Sequence, residues 1–194
     1  LDQRIGNRLI ASGEVLFTKN INAPVYFNAN LEPATTNFAG PDDRLRFNGG
    51  GLNTGTPKDD TTRINNNIST AVVLDNVNEG YYFGVTGLLE YPAVNNRGFY
   101  GKVGYTYSRT KDLQSAGSIA AGSWTNSFSV NGNNNLELSF SDNDTPHRIF
   151  GLMGYTIDYG GKWGGATSIS LGYIGQRSGR VSYAYAGDMN GDNV

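Results

Sequence analysis

The 194 residues carry 15 basic and 17 acidic side chains, a net charge of −2, and no basic stripe points to nucleic acid. Cysteine is absent, which excludes a disulfide scaffold and thiolate metal sites. No apolar stretch suits a helical membrane span, whereas 27 Gly, 12 Tyr and abundant Asn suit strands, turns and polar loops.

The first element is a strand stub at "LDQRI", followed by a candidate tight turn at "IGNR". From Leu9 an alternating run places Leu9, Ala11, Gly13, Val15 and Phe17 on one side. Ser12, Glu14 and Thr18 lie between them, with Ile10 and Leu16 as exceptions. A second run sets Tyr81, Phe83, Val85, Gly87, Leu89 and Tyr91 against Gly84, Thr86 and Glu90. A third sets Phe99, Val103, Tyr105 and Tyr107 against Lys102, Gly104, Thr106 and Ser108. Ile149, Met153, Tyr155, Ile157 and Tyr159 form a fourth. The fifth sets Thr167, Ile169, Leu171 and Tyr173 against Ser168, Ser170, Gly172 and Gln176. Period two is the strand signature. Each run is roughly 9 to 14 residues long, where a membrane-crossing strand needs about 9–11 and a soluble strand averages about 5–6.

The connections alternate in length. "YPAVNNRG" and "DYGGKWGG" are short and rich in turn residues. The stretches from about Asn20 to Ser69 and from about Lys111 to Thr145 are long, rich in Asn, Gly, Ser and Thr, and read as structureless loops. Loops of that length are uncommon in compact soluble domains. Short turns on one side and long loops on the other are the layout of an outer-membrane barrel, with short periplasmic turns and long extracellular loops. Tyr and Trp near the strand ends, Trp163 among them, suit the headgroup zone. The fold class expected is therefore all-β, an antiparallel transmembrane β-barrel segment. Five runs and a stub fall short of the roughly eight strands a membrane barrel requires, so further strands are expected elsewhere. The chain opens on Leu1 and stops inside "GDMNGDNV", which reads as a piece of a longer precursor.

Three stretches, taken in order, resemble the C-terminal half of the barrel in TonB-dependent receptors. They are "NEGYYFGVTGLLEYPAVNNRGFYGKVGYTYSRTKD", "NGNNNLELSFSDNDTPHRIFGLMGYTIDYG" and "ISLGYIGQRSGRVSYAYAGDMNGDN". "GEVLFTKNINAPVYFNANLEP" with "AGPDDR" is similar to an earlier part of the same barrels, so the likeness covers nearly all of residues 1–194. The nearest type is that of the Bacteroidota, Oar-like or SusC-like, with a carboxypeptidase-regulatory-like domain. "GQRSGRVSY" departs from it, having two arginines where small residues are usual. The resemblance implies a 22-stranded barrel, with residues 1–194 a partial barrel domain and no plug domain among them. It also implies import of a nutrient such as an oligosaccharide, peptide or siderophore-like ligand, driven through TonB with ExbB and ExbD in the cell outer membrane of a Gram-negative bacterium. Outer-membrane lipid, the rest of the barrel and plug, and a surface lipoprotein are the partners that follow.

Glu14, Glu90, Lys102 and Gln176 fall mid-strand and would line the lumen. Trp124, Phe128, Tyr183 and Tyr185 are loop aromatics that suit stacking on a ligand, although loop packing explains them equally. Asp188, Asn190 and Asp192 alternate as the start of a calcium loop does, with an ordinary hydrated loop as the competing reading; no other cofactor is implied. His147, the one histidine, lacks partners for a triad or a zinc site. "GPDDR" and "PKDD" read as solvated loop carboxylates. "GGG" at Gly49 to Gly51 lacks the ending of a phosphate loop. No constellation supports an enzyme. Two further readings stay open: a passive porin or structural barrel of an envelope complex, and a soluble β-sandwich that binds carbohydrate or acts as an adhesin.

Overall fold

A computed structural model describes residues 1–47, 63–95, 97–115, 117, 119–160, 164–184, 187 and 189–191. The chain is all-β with antiparallel sheets. It divides into two compact units. The first comprises Leu1–Thr18, Tyr81–Thr110 and Asn143–Arg180, and the second Lys19–Gly80, Lys111–Asp142 and Val181–Val194.

The first unit is one sheet. Its strands are β1 (Asp2–Ile5), β2 (Leu9–Lys19), β7 (Tyr81–Tyr91), β8 (Gly98–Asp112), β10 (His147–Asp158) and β11 (Ala166–Gln176). Their spatial order is β1-β2-β7-β8-β10-β11, so every strand lies beside one that precedes or follows it among these six. The sheet does not close into a barrel: β1 and β11 are its edges. The five long strands have 11, 11, 15, 12 and 11 residues. At about 3.3 Å per residue an 11-residue strand runs about 36 Å, enough to cross a hydrocarbon layer of about 30 Å when tilted.

Three short turns lie at one end of these strands. Gly6, at φ +63°, opens the turn that brings Ile5 opposite Leu9. Asn95, at φ +49°, sits in the turn closed by Arg97 N–H donating to the Val94 carbonyl at 3.0 Å. Tyr159 N–H donates to the Gly165 carbonyl at 3.0 Å across the third. Its tip, with Trp163, lies outside the described residues. Two arginines cross-brace this end. Arg8 lies 4.4 Å from the Tyr91 ring centroid and donates to the Pro92 carbonyl at 3.0 Å. Arg97 reaches Asp158 at 2.5 Å.

The long connections are not structureless, contrary to the sequence reading. They supply β3 (Ala23–Asn28), β4 (Thr36–Asn37), β5 (Leu45–Arg46), β6 (Val72–Val77), the short helix α1 (Ala120–Thr125) and β9 (Ser139–Phe140). β3 pairs with β6 and β4 with β5, both antiparallel. This second unit holds every buried large apolar side chain among the described residues: Val25, Leu31, Phe47 and Trp124. Polar side chains supply the rest of its interior: Asn28, Asn30, Asn133, Gln114, Ser123 and Ser141. Asn28 Oδ1 accepts from the backbone N–H of Asn30 and of Ala71, both at 3.0 Å. Asn134 Oδ1 accepts from Asn28 N–H at 2.8 Å and from Trp124 Nε1 at 2.9 Å. Buried polar groups are tolerated when bonded in this way.

Candidate functional site

The register of the first unit sorts its side chains onto two faces. Ile149 lies opposite Tyr105 and Gly175, Met153 opposite Gly101 and Leu171, and Tyr155 opposite Phe99 and Ile169. Successive residues of a strand point to opposite faces, so these share a face with Val103 and Tyr173. Its large apolar side chains are bare: Val85 is 39% exposed, Met153 54%, Ile169 68% and Val15 69%. No large apolar side chain of this unit is buried among the described residues. A fully uncovered Val, Leu, Ile or Met side chain forgoes about 1.5–3 kcal/mol of burial, and these forgo a share of it set by their exposure. Contiguous bare apolar surface marks an interaction face.

The opposite face is mixed rather than uniformly polar. Phe150, Leu152 and Ile174 stand on it beside the expected hydroxyls and charges, for Phe150 lies opposite Ile174 and Leu152 opposite Lys102. Glycine explains part of the exception. A Cβ on Gly104 would meet Cε1 of Phe150 at 2.3 Å, and one on Gly154 would meet the Tyr100 hydroxyl at 2.3 Å. Each ring therefore lies over a glycine on the neighbouring strand. Tyr82 covers Gly84 in the same way along its own strand, where a Cβ would meet the Tyr82 hydroxyl at 2.5 Å. Glycine weakens a strand by itself, and an aromatic laid over it restores packing.

One polar row crosses this face. Arg148 lies directly between Thr106 and Gln176. Thr106 and Thr86 bond hydroxyl to hydroxyl at 3.0 Å. Glu14 completes the row. Asn20 N–H donates to the Gly80 carbonyl at 3.0 Å at one end of the β2–β7 pair, and Glu14 borders the same cavity as Thr86. Glu14, Thr86, Thr106, Arg148 and Gln176 line one cavity of about 440 Å³. Of the four side chains expected to share a lumen, Glu14 and Gln176 meet at this cavity. Glu90 and Lys102 pair with each other at 3.6 Å.

Above the row the strands are held by a buried carboxylate that sequence reasoning did not single out. Asp144 has 0% exposure; its Oδ1 accepts from Thr110 N–H at 2.7 Å and its Oδ2 from Arg180 Nε at 2.7 Å. Arg180 is one of the two arginines in "GQRSGRVSY". Ser108 Oγ donates to the Thr145 carbonyl at 2.7 Å beside it. His147 opens β10, with Nδ1 at 2.7 Å from the Tyr105 hydroxyl and its ring 5.4 Å from that of Tyr107. Arg148 was missed as well, although its even position in the run beginning "HRIF" puts it on the face of Gln176.

The loop aromatics are dispersed in exposure. Trp124 is 3% exposed and packs inside the second unit, while Phe128 is 66% and Tyr183 99% exposed. Phe128 lines a cavity of about 500 Å³ with Asp112, Gln114, Ser123, Phe140 and Asp142. Tyr185, Asp188, Asp192, Gly49 to Gly51 and "PKDD" lie outside the described residues. Asn190 contributes its backbone carbonyl, which accepts from Phe47 N–H at 2.7 Å. Among the described residues no cluster of three or more His, Cys, Asp or Glu side chains is placed to hold a metal. Comparison with protein-family models, with curated proteins and with solved structures found no match for this chain.

Proposed function

We propose that the chain is part of the barrel of a TonB-dependent importer in the outer membrane of a Gram-negative bacterium. The observation that carries this reading is the bare apolar face, from Val15 and Phe17 through Val85 and Val103 to Ile169 and Leu171, on strands of 11 to 15 residues. Hydrocarbon is the solvent that such a face fits. Backbone groups in lipid must all be bonded, so the free edges of β1 and β11 call for further strands of the same barrel. The mixed face, with Glu14, Arg148, Glu90 and Lys102, suits a wet lumen. The assignment to TonB-dependent import, with the plug, TonB, ExbB and ExbD as partners and a nutrient as cargo, rests on the order of the resembling stretches.

Membrane fractionation tests the reading. The protein is expected in the outer-membrane pellet, released only by detergent, and its cargo uptake is expected to cease in a strain lacking TonB. Recovery in the soluble fraction after lysis would exclude the barrel. Detergent-extracted protein whose uptake is indifferent to TonB would leave a passive pore.

A further inference from the structure

We infer that the polar row across the first unit binds a short zwitterionic peptide, with its terminal carboxylate at Arg148 and its terminal ammonium at Glu14. The inference uses the mixed face alone and is separable from the membrane proposal. Three features define the site. First, its ends are oppositely charged, and no ion pair joins Glu14 or Arg148 to any other described residue. Second, Arg148 is flanked in register by the Gln176 amide and the Thr106 hydroxyl. Guanidinium and amide are donors, a combination that suits a carboxylate. Glu14 offers only acceptors and suits an ammonium.

Third, the spacing matches an extended peptide. Glu14 lies on β2 and Arg148 on β10, with β7 and β8 between them. Three strand spacings of about 4.8 Å separate them by about 14 Å. An extended chain advances about 3.4 Å per residue, so a tetrapeptide spans the same distance. Between the ends stand the bonded hydroxyls of Thr86 and Thr106, and Tyr82 lines the same cavity. These groups can donate to or accept from peptide bonds. The volume of about 440 Å³ lies within the usual range for a ligand site.

The experiment is calorimetric titration of the protein, in whichever of buffer or detergent keeps it monodisperse, with tetraalanine, its N-acetyl form and its C-terminal amide. Blocking either terminus is expected to weaken binding about fivefold, the upper range for a solvent-accessible ion pair. Arg148→Gln should abolish the preference for the free carboxylate and spare that for the free amine. Glu14→Gln should do the reverse. Both side chains are exposed, so both variants are expected to retain the parent's circular dichroism and melting temperature. Equal affinity for the three peptides, no binding of any, or equal weakening of all three by each variant would overturn the inference.

Discussion

Arg180 donates from Nε to Oδ2 of Asp144 across 2.7 Å, and Asp144 is completely buried while Arg180 is 31% exposed at its side chain. The carboxylate also accepts from Thr110 N–H, so it ties the end of β8 to the segment that follows β11. Asp144→Ala removes the acceptor for a backbone N–H and for a guanidinium together. The expected loss is about 2–4 kcal/mol, set between the cost of an unsatisfied hydrogen bond and that of a broken buried pair. Asp144→Asn keeps one acceptor and should lose less. Denaturant unfolding of both variants checks the order.

The two faces of the sheet should respond differently to charge. Val85→Arg or Ile169→Arg places a cation on the bare apolar face, at a cost of about 2–4 kcal/mol if that face meets the middle of a bilayer. Thr86→Arg or Ser170→Arg places it on the mixed face, where the penalty should be much smaller. Equal penalties in a folding titration into lipid vesicles would reject the lipid-facing assignment of the apolar side.

Gly104→Ala tests the ring laid over a glycine. The added methyl would stand 2.3 Å from Cε1 of Phe150, which must swing off the sheet. The expected cost is about 1–3 kcal/mol, as for other overpacked sites. Gly87→Ala, where the added methyl meets nothing within 4 Å, is the matched control and should be near neutral. Thermal unfolding of the pair separates ring displacement from a general intolerance of alanine.

In the second unit, a side-chain hydrogen bond from Arg44 holds the Asp42 carboxyl below its ordinary value, opposed in part by desolvation. A carboxyl with a depressed folded-state pKa stabilises above its unfolded value of about 3.9, and that contribution fades as pH falls through the folded value. Arg44→Gln should return the Asp42 midpoint toward the ordinary carboxylate range in an NMR titration. An unchanged midpoint would mean that the guanidinium is not the cause.

The long strands were legible because apolar residues recur at every second position along them, with few exceptions such as Ile10, Leu16 and Leu152, and no other described element keeps that period for so long. Their register was not legible. It emerges only from backbone pairings such as Arg148 with Thr106 and with Gln176. The second unit escaped the sequence reading for a different reason. β3 and β6 have six residues each, and much of their surroundings is asparagine amide rather than hydrocarbon. Asn28, Asn30 and Asn134 bond backbone groups that a hydrophobic pattern cannot register, and the abundance of Asn was the only trace they left. The polar row was half legible: the period gave the faces of Glu14 and Gln176, but their meeting with Arg148 required the strand order.

Because the row from Glu14 to Gln176 crosses five strands on one face, its integrity depends on counting. Inserting or deleting a single residue within β7, β8 or β10 would invert every side chain beyond that point, turning oily groups inward and charges outward. Gains and losses of residues in related chains should therefore collect in the connections, and a strand whose length does vary should change by two.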